Sequence, residues 1–382
     1  MLFKGSDHDT VNPKDNLAFL MVGQDKLELK KREVPKECGP YEAIVCPKRT
    51  GICGSDMHIL LSGMLGDRPF GDPFTLGHEC AGIVAQVGDK VRDLKIGDRV
   101  ALEPGEPCYR CELCKAGSYA QCEFMHFAAA GVDGTLQGYY TLPADLCYKL
   151  PENLSLEEGA MMEPLAVAIN AIANVAEMRP AANVAIFGAG PVGLLTMAAA
   201  KALGARRIIA IDTNAGRLDF AKDYVNAETH QAIPMESGED KGVYSRRHAE
   251  VIMSKFGLSD RGPTGIDVVV DCSGAEVCIQ TGMWLLKRRG KFVQVGNGGQ
   301  YCNIPMRIVA FRELTIKGVF RYGPGVYWMS IDLVSRGLIN LKPLLTHRYS
   351  FNDVPKAFET AKIGKGEDGK MAIKVMIDGP EA

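Results

Sequence analysis

The sequence lacks an excess of charge of either sign. Its 44 Lys and Arg residues nearly balance its 46 Asp and Glu residues, which leaves a formal net charge of -2 at pH 7. Proteins that bind nucleic acid or anionic membranes through electrostatics carry a pronounced basic patch or tail. The composition therefore gives no support for nucleic acid or an anionic membrane as a partner, and we expect a small neutral substrate.

Long apolar stretches are also absent. Nowhere do about eighteen apolar residues run without interruption, and residues 1–10 carry charges where an export signal would have an apolar core. We therefore expect a cytoplasmic protein that is neither exported nor inserted in a membrane. Its 12 cysteines then need an explanation other than disulfides, because a reducing compartment keeps thiols reduced. Metal ligation and burial are the two explanations.

The 382 residues of the chain are enough for two domains, and two patterns of apolar residues divide it. Residues 1–166 contain short apolar runs punctuated by glycine and proline, which is typical of a β-rich domain. Residues 167–306 alternate apolar strands with amphipathic helical stretches, which predicts βαβ units and a doubly wound parallel sheet. Residues 307–382 return to mixed character. Within the second part, residues 235–248 are polar, and we expect a surface loop or a helix lead-in there.

A glycine-rich motif follows the predicted strand Val184–Phe187 and precedes a predicted helix. Its residues are Gly188, Ala189, Gly190, Pro191, Val192 and Gly193. In a dinucleotide-binding turn the first glycine permits the turn, the second lets the backbone approach the pyrophosphate, and the third lets the helix pack on the strand. The order of strand, motif and helix favours a nucleotide site over an ordinary glycine turn.

Asp212 closes the next predicted strand, about twenty residues after the motif. A carboxylate at this position accepts hydrogen bonds from the ribose hydroxyls of NAD and repels the 2′-phosphate of NADP. We therefore predict NAD as the cofactor. Arg217 lies one turn downstream and can offer a phosphate contact, although a solvated charge on a helix face is the simpler interpretation.

Four cysteines lie close together in one glycine-containing loop, with spacings of three, three and eight residues. They are Cys108, Cys111, Cys114 and Cys122. Four thiolates so close in a reduced compartment are typical of a closed tetrahedral zinc site. Disulfides are the competing interpretation, which the compartment and the spacing both disfavour. We predict a structural zinc in a lobe that spans about residues 105–125.

A second group of potential metal ligands is dispersed over the segments Gly51–His58, Gly77–Glu79 and Glu163–Pro164. A catalytic zinc needs three protein ligands and one open position, and Cys53, His78 and a glutamate would supply them. Taken one at a time, these residues have structural explanations that are at least as simple, because a histidine beside a glutamate is usually an ordinary polar pair.

Together these motifs resemble the zinc-dependent medium-chain dehydrogenases, in the sorbitol and xylitol dehydrogenase branch and nearest to the xylitol dehydrogenases of fungi. The resemblance extends over nearly the whole chain. It is carried by Thr50–His58, Leu76–Gly82, Gly97–Cys114, Glu158–Val167, Val184–Ala200, Phe292–Asn297, Gly318–Tyr322 and Thr346–Tyr349. It implies an α/β protein with a Rossmann NAD-binding domain and a β-rich GroES-like catalytic domain. It also implies oxidation of a secondary hydroxyl of a polyol, with xylitol to D-xylulose as the best match.

The resemblance also implies the metal ligands. The catalytic zinc ligands of the family fall on Cys53, His78 and Glu79, with Glu163 beside the zinc-bound water or as an exchanging ligand. Which of the two glutamates is the direct ligand stays open. The structural zinc ligands of the family fall on all four cysteines of the loop, so that one catalytic and one structural zinc are expected per chain.

Further roles follow from the same resemblance. Ser55 and His58 keep the spacing of a proton path from the alcohol to solvent, and a histidine suits that role because its pKa lies near neutrality. An ordinary surface histidine is the alternative for His58. The polyol contacts of the family fall on Arg321 and Tyr322, and the cofactor contacts include Val295 and Arg321. The family suggests a homotetramer.

The chain departs from the polyol dehydrogenase pattern at two places. Ile59 and Leu60 stand where an aromatic pair is usual, and the stretch Ala128–Ala130 replaces a proline-containing one. Both places border the substrate pocket in the family, so sorbitol or L-iditol, L-arabinitol and galactitol stay alternatives to xylitol. The run Phe320–Tyr322 argues against a threonine or primary-alcohol dehydrogenase. A non-catalytic NAD-binding protein of the same fold is the alternative from another class.

Overall fold

The computed structural model of the protein describes residues 15–65 and 68–381. The chain divides into two compact units: unit 1 consists of Met1–Glu163 and Gly323–Ala382, and unit 2 consists of Pro164–Tyr322. The expectation about an export signal concerns residues 1–10, which lie outside the described residues. Within the described ranges, no helix combines the length and the apolar character that crossing a membrane requires.

Unit 1 is built mainly from short strands. The strands of its N-terminal segment are β1 (Asn16–Gly23), β2 (Lys26–Arg32), β3 (Glu42–Gly51), β4 (Met64–Leu65), β5 (Arg68–Pro69), β6 (Phe74–Thr75), β7 (Glu79–Val87), β8 (Arg99–Leu102), β9 (Gly105–Glu106), β10 (His126–Phe127), β11 (Tyr140–Pro143) and β12 (Cys147–Lys149). The helices of this segment are α1 (Gly54–Ser62), α2 (Glu112–Lys115) and α3 (Leu156–Ala160). Helix α4 (Met162–Ile169) follows, and the chain passes into unit 2 within it.

Unit 2 alternates strands and helices. Its strands are β13 (Asn183–Phe187), β14 (Arg207–Asp212), β15 (Glu228–Gln231), β16 (Ile266–Asp271), β17 (Leu286–Gln294) and β18 (Thr315–Gly318). Its helices are α5 (Pro191–Ala202), α6 (Ala215–Val225), α7 (Lys241–Phe256), α8 (Glu276–Leu285) and α9 (Met306–Arg312). The chain then returns to unit 1 with α10 (Val326–Ser335), β19 (Leu345–Tyr349), α11 (Val354–Ile363) and β20 (Lys374–Asp378).

The main sheet of unit 1 has seven strands in the order β12-β8-β7-β3-β20-β19, with β11 paired to β3. Strand β20 pairs antiparallel with β3, where Ile377 lies opposite Thr50. The C-terminal segment therefore completes a sheet that the N-terminal segment begins. Apolar side chains on β3, β7 and β8, among them Val45, Val84 and Val100, pack into one core cluster. This is the β-rich domain that the sequence predicts.

The sheet of unit 2 has six strands in the order β15-β14-β13-β16-β17-β18, and every pair is parallel. This order reverses direction at β13, as in the doubly wound dinucleotide-binding fold. All five residues of β13 are buried, because helices cover both faces of a parallel sheet. The predicted α/β fold class is therefore confirmed.

Unit 2 ends at Tyr322, whereas the sequence suggested an end at residue 306. The difference arises from β18, which pairs in parallel with β17 and places Lys317 opposite Val293. Strand β18 lies at the edge of the sheet and its residues are largely exposed. It therefore lacks the continuous apolar character by which the inner strands were recognised.

Helix α7 corrects another expectation. Residues 235–240 form a loop, but residues 241–248 already belong to this helix of 16 residues. Asp240 caps the helix by accepting hydrogen bonds from the backbone N–H groups of Gly242 and Val243. Its buried face includes Tyr244, Ser245 and His248. Polar residues on the buried face conceal the helical period that an apolar stripe would reveal.

Two of the buried residues of unit 2 are a pair of histidines whose rings are tilted against each other. His230 on β15 and His248 on α7 are 5% and 3% exposed, and their ring centroids lie 5.2 Å apart. Among the described residues, the Nε2 atom of each has no hydrogen-bond partner. Burial, together with the charges of His230 and Arg247, lowers the pKa of His248 to about 4. Burial and the charge of Lys255 also lower the pKa of His230.

This pair predicts a loss of stability in acid. A histidine of the unfolded chain protonates near pH 6.5, whereas folded His248 resists protonation down to about pH 4. The unfolded state therefore binds more protons in this window, and the free energy of unfolding falls as the pH falls. We expect His248→Gln to lose less stability than the wild type between pH 7 and pH 5, measured as the shift of the urea midpoint.

His126→Gln is the matched control, because His126 is exposed and should leave the wild-type pH dependence intact. An equal loss of stability in wild type and His248→Gln would contradict the prediction.

Candidate metal centres and nucleotide site

The first candidate site begins where β3 gives way to α1. Cys53 is the N-cap residue of α1, and its backbone N–H donates to Oδ2 of Asp56 at 3.1 Å. The other carboxylate oxygen of Asp56 accepts from the backbone N–H of Gly77 at 3.2 Å and lies 3.2 Å from Nδ1 of His78. The buried Asp56 therefore connects the start of α1 to the loop before β7 and leaves Nε2 of His78 available for a ligand.

Three potential ligands converge here. The Cys53 thiol, the His78 ring nitrogen and a Glu79 carboxylate oxygen all lie within 4.8 Å of one another. Zinc bonds of about 2.0–2.3 Å place tetrahedral ligand atoms roughly 3.5 Å apart, so a small movement of the side chains suffices to bind the ion. Burial by itself lowers the pKa of His78, but the charges of Asp56 and Cys53 raise it well above 6.5. The same charges favour a cation at this place.

Glu79 is held by a partner that the sequence analysis missed. Nζ of Lys374 donates to the two carboxylate oxygens of Glu79 at 2.8 and 2.6 Å and to the carbonyl oxygen of Ile52 at 3.1 Å. Glu79 and Lys374 are 1% and 3% exposed. Although burial lowers the pKa of Lys374, the negative charges of Glu79, Cys53 and Glu163 raise it. Lys374 therefore stays charged and compensates the anionic side chains around it.

Glu163, the other candidate carboxylate, is buried in the first turn of α4. It is not a member of the three-residue group that can hold a metal ion. Its charge raises the pKa of Lys374, so it contributes to the electrostatics of the same region. Among the described residues the structure thus brings Cys53, His78 and Glu79 together and leaves Glu163 outside the group.

Ser55 and His58 lie on α1 beside this group. The hydroxyl of Ser55 donates to Sγ of Cys53 at 3.2 Å and lies 3.4 Å from Nε2 of His78. Both Ser55 and His58 are exposed, and a spacing of three residues places them on one face of the helix. The side of the group that carries Ser55 is therefore open to solvent.

Both departures from the polyol dehydrogenase pattern reach into the core of unit 1, although Ala130 is exposed. Leu60 and Ala129 are buried members of one apolar cluster, against which Ile59 packs. Ala129 adopts a left-handed backbone with φ 63°. These residues therefore contribute to packing, whatever they do for substrate choice.

The four loop cysteines form the second candidate metal centre. Sγ of Cys111 lies 3.4 Å from Sγ of Cys114 and 3.9 Å from Sγ of Cys122, and Cys108 lies 3.9 Å from Cys114. A disulfide would bring two sulfurs to about 2.05 Å, whereas four zinc–sulfur bonds of about 2.3 Å separate them by about 3.8 Å. The distances fit a closed zinc site.

Local backbone donors prepare this loop for anionic sulfur. The N–H groups of Arg110 and Cys111 point at Sγ of Cys108 at 3.5 and 3.3 Å, and they lower the pKa of that thiol to about 6. Thiolates are the form that binds zinc. These two donors therefore favour the ionised, metal-binding form of Cys108.

A buried carboxylate anchors the cysteine loop to the sheet. Glu103, just after β8, accepts hydrogen bonds from the hydroxyls of Tyr119 at 2.6 Å and Tyr148 at 2.7 Å. Tyr119 belongs to the cysteine loop, and Tyr148 stacks on Tyr327 with ring centroids 4.9 Å apart. Burial raises the pKa of Glu103. Nothing in the local sequence around Glu103 indicates this role, because both partners come from elsewhere in the chain.

The glycine motif of unit 2 forms a tight turn between β13 and α5. Gly188 has φ +90°, and a Cβ atom on Gly193 would lie 1.8 Å from the carbonyl oxygen of Gly188. Only glycine fits at these two positions. A Cβ atom on Gly190 would meet nothing within 4 Å, so the turn leaves open space there. Helix α5 begins at Pro191 and continues through Val192, and the positive end of its dipole lies at this open space.

Asp212 ends β14 next to this turn. Its Oδ2 atom accepts from the backbone N–H of Ala189 at 2.7 Å, and its Oδ1 atom accepts from that of Asn214 at 2.8 Å. Each carboxylate oxygen has a further lone pair, so the ribose hydroxyls can still be bound. Asn214 caps α6 through the N–H of Arg217, which places Arg217 in the first turn of that helix.

Val295, Arg321 and Tyr322 follow the carboxyl ends of β17 and β18. This edge of a doubly wound sheet is where ligands bind. The N–H of Val295 donates to the carbonyl oxygen of Asp271 at 2.9 Å. Arg321 has a left-handed backbone with φ 55°, and its guanidinium lies 4.6 Å from the ring centre of Phe320. Tyr322 is buried.

Two family models match the chain. Residues 39–152 match the alcohol dehydrogenase GroES-like domain, and residues 191–336 match the zinc-binding dehydrogenase domain. The two matches cover more than half of the sequence. The chain belongs to the zinc-dependent medium-chain dehydrogenases, in the polyol dehydrogenase branch. The predicted family and the predicted enzyme class, a polyol dehydrogenase, are confirmed.

The names of several similar proteins mention a substrate or a bound cofactor. A protein from Aspergillus clavatus named "Probable D-xylulose reductase A" is 47% identical over 365 residues, which are 95% of this chain and 97% of the relative. L-idonate 5-dehydrogenase from Escherichia coli superposes with a TM-score of 0.81 at 28% identity, over 95% of this chain and 98% of the other. A Sinorhizobium meliloti protein solved with NADP bound superposes with a TM-score of 0.80 at 28% identity, over 96% and 99%.

Proposed function

We propose that this dehydrogenase uses NAD and zinc to oxidise xylitol to D-xylulose. The observation that carries the proposal is the convergence of Cys53, His78 and Glu79 within 4.8 Å, in a chain that also contains a dinucleotide turn. The 47% identity to a relative named for D-xylulose supports the choice of substrate. L-idonate 5-dehydrogenase acts on a sugar acid by its name, which supports a polyhydroxylated substrate more generally.

Cys53, His78 and Glu79 would hold a catalytic zinc, and the four loop cysteines would hold a structural one. A zinc ion bound by three protein ligands supplies a Lewis acid that lowers the pKa of an alcohol hydroxyl. Asp56 keeps the His78 ring oriented, and Lys374 keeps the Glu79 carboxylate in place and compensates its charge. We propose Glu79 as the direct carboxylate ligand and Glu163 as a neighbouring charge.

The proton released from the alcohol would pass along α1. The Ser55 hydroxyl, which lies 3.2 Å from Sγ of Cys53, would accept this proton, and the nicotinamide ribose of the bound cofactor would supply the hydroxyl between Ser55 and His58. His58 is exposed and delivers the proton to water, which is general-base catalysis by relay. Arg321 and Tyr322 are proposed to bind neighbouring hydroxyls of the polyol and to orient its reacting carbon.

NAD, when bound, supplies the hydride acceptor, and unit 2 supplies its binding site. Gly188, Gly190 and Gly193 shape the turn for the pyrophosphate, with Pro191 and Val192 opening the helix behind it, and Val295 and Arg321 are the other proposed contacts. The Sinorhizobium meliloti protein was solved with NADP, so the fold by itself does not select the cofactor. Asp212 supports NAD, because its carboxylate accepts from ribose hydroxyls and repels a 2′-phosphate. For Arg217 we propose a contact with a phosphate of the cofactor; a solvated charge on the helix face is the simpler alternative.

A homotetramer is the proposed assembly. Strand β18 is the last in its sheet, and edge strands with free hydrogen-bonding groups are templates for pairing with another chain. Phe311 and Phe320, on either side of β18, are 65% and 51% exposed. These exposed aromatic side chains support an assembly surface on unit 2.

The substrate proposal is tested by measuring kcat/KM with NAD and four polyols. We expect xylitol to exceed sorbitol, L-arabinitol and galactitol. A preference for another polyol would replace xylitol in the proposal, and no turnover of any polyol with either NAD or NADP would favour the non-catalytic NAD-binding alternative.

Replacing one ligand should have a different effect at each of the two proposed metal centres. Cys53→Ser should lose about one zinc per chain and its activity while keeping its thermal stability, because a three-ligand site holds metal poorly after losing one ligand. Cys111→Ser should also lose about one zinc but should unfold at a lower temperature, because a closed structural site contributes folding energy. Metal analysis, activity and thermal melts measure these outcomes.

Cys302→Ser is the control for both variants, since Cys302 is exposed and should behave as the wild type does. Full activity in Cys53→Ser would refute the catalytic assignment. An unchanged melting temperature in a Cys111→Ser protein that has lost its zinc would refute the structural one.

Cofactor choice is tested with Asp212→Asn. The amide removes the negative charge that opposes NADP, and its one oxygen can accept from the N–H of either Ala189 or Asn214. A change in the turn that weakens both cofactors equally cancels in the ratio that is measured. We expect the ratio of kcat/KM for NAD over NADP to fall about tenfold or more, the size expected for losing hydrogen bonds to a charged group. Asp219→Asn, an exposed site on the adjoining helix α6, should leave the ratio unchanged. A ratio that stays constant in Asp212→Asn would show that this carboxylate does not select the cofactor.

A further inference from the structure

A hydrogen bond between a buried aspartate and a half-buried glutamine joins the carboxyl ends of the neighbouring strands β16 and β17. Asp271 is the last residue of β16, Gln294 is the last residue of β17, and the two are opposite each other in the parallel register. Asp271 is 0% exposed. Nε2 of Gln294 donates to Oδ2 of Asp271 at 2.7 Å and to the carbonyl oxygen of Gly296 at 2.8 Å. Gln294 thereby connects its own turn to the neighbouring strand.

The Asp271 carboxylate also organises the loop that follows it. Oδ1 accepts from the backbone N–H of Ser273 at 3.1 Å and from its hydroxyl at 2.6 Å. Oδ2 accepts from the N–H of Gly274 at 2.8 Å. With Gln294, four donors surround this carboxylate, which is how a buried charge is accommodated without a counter-ion. The backbone carbonyl of Asp271 accepts from the N–H groups of Val295 and Gly296, both at 2.9 Å.

The two loops that Asp271 connects are packed backbone to backbone. Gly274 has φ +73°, and a Cβ atom there would lie 2.3 Å from the carbonyl oxygen of Asn297. A Cβ atom on Gly296 would lie 2.5 Å from the nitrogen of Gly274. On its other side this loop reaches the nucleotide turn, since a Cβ atom on Gly188 would lie 3.3 Å from the nitrogen of Ser273. The closest of these approaches join loop 272–274 to loop 295–298, so a displacement of either loop is transmitted to the other.

The strand order assigns these loops to one half of the nucleotide crevice. In a doubly wound sheet the crevice opens where the order reverses, and each half of the sheet receives one mononucleotide. Asp212 belongs to the half formed by β13, β14 and β15, which takes the adenosine part. Asp271 and Gln294 belong to the half formed by β16, β17 and β18.

We propose that Asp271 and Gln294 are positioning residues for the nicotinamide mononucleotide half of NAD. They hold loop 272–274 and loop 295–298 as the wall of that half, and they act through the backbone of these loops without touching the cofactor themselves. The inference rests on the proposed use of NAD and adds residues to which no role in binding has been given.

Asp271→Asn is the informative variant because it keeps the shape of the side chain. An amide has one accepting oxygen, so its NH₂ group must face the N–H of Ser273 or the donors on Gly274 and Gln294. Two donors then oppose each other in a buried site, which costs enough to displace a loop. The variant leaves the hydrogen bonds of Asp212, on the adenosine side, intact.

The experiment compares binding of NADH and of AMP by calorimetry. Asp271→Asn should raise the Kd of NADH about tenfold or more, the size of a lost buried hydrogen bond, while the Kd of AMP stays within about twofold of the wild type. Asp267→Asn is the matched control at the opposite end of the same strand, where Asp267 accepts from the N–H of Asn183 at 2.8 Å. It should leave both dissociation constants unchanged, whatever happens to its melting temperature.

The outcomes separate this inference from the function on which it rests. A wild type that binds no NADH overturns the proposed NAD dependence and the inference with it. A wild type that binds NADH, with Asp271→Asn either unchanged or weakened equally for NADH and AMP, overturns the inference alone. If Asp271→Asn does not fold, Gln294→Met replaces it in the experiment, because this variant removes one donor and keeps the side-chain length. It too should raise the Kd of NADH while leaving the Kd of AMP unchanged.

Discussion

The buried ion pair between Glu79 and Lys374 is the interaction on which unit 1 depends. Glu79 begins β7 and Lys374 begins β20, so the pair connects the first part of the chain to its C-terminal segment across 295 positions. Both side chains are almost fully buried, and the interior tolerates each charge only because the opposite charge compensates it. Removing one partner of such a pair leaves an uncompensated buried charge, at a cost of about 3–5 kcal/mol. The same pair brings a carboxylate of fixed orientation to the candidate metal centre, so folding and the proposed metal binding rely on one interaction.

Carboxylates at strand ends play a comparable part in unit 2. Asp212 and Asp271 close β14 and β16, and each accepts hydrogen bonds from backbone N–H groups of the loops beyond the sheet. Turns at the carboxyl ends of parallel strands leave such N–H groups without partners in the sheet. A carboxylate satisfies them and fixes the loop in one conformation. The nucleotide site is therefore shaped by hydrogen bonds that are internal to the protein, and a cofactor meets loops that are already ordered.

The two candidate metal centres are built in opposite ways. The four cysteines lie within a short loop whose own N–H groups stabilise thiolate, and only the anchor through Glu103 and Tyr119 comes from further away. The other centre draws Cys53 from the start of a helix and His78 and Glu79 from the start of a strand. Asp56 and Lys374 then orient the last two. A loop can be stabilised by its metal, whereas a dispersed site needs the fold to assemble it first.

The sequence by itself determined the features that depend on neighbours along the chain. The glycine turn could be recognised because Gly188 and Gly193 meet within one turn of backbone, and the cysteine loop because its spacing places the sulfurs close together. Only the tertiary structure decided that Glu79 joins Cys53 and His78 while Glu163 does not, that Lys374 compensates their charge, and that β18 belongs to the parallel sheet. These features depend on which strands pair and which side chains are buried together. Strand pairing joins residues that are hundreds of positions apart, and no local pattern of charge or hydrophobicity records which partner each will meet.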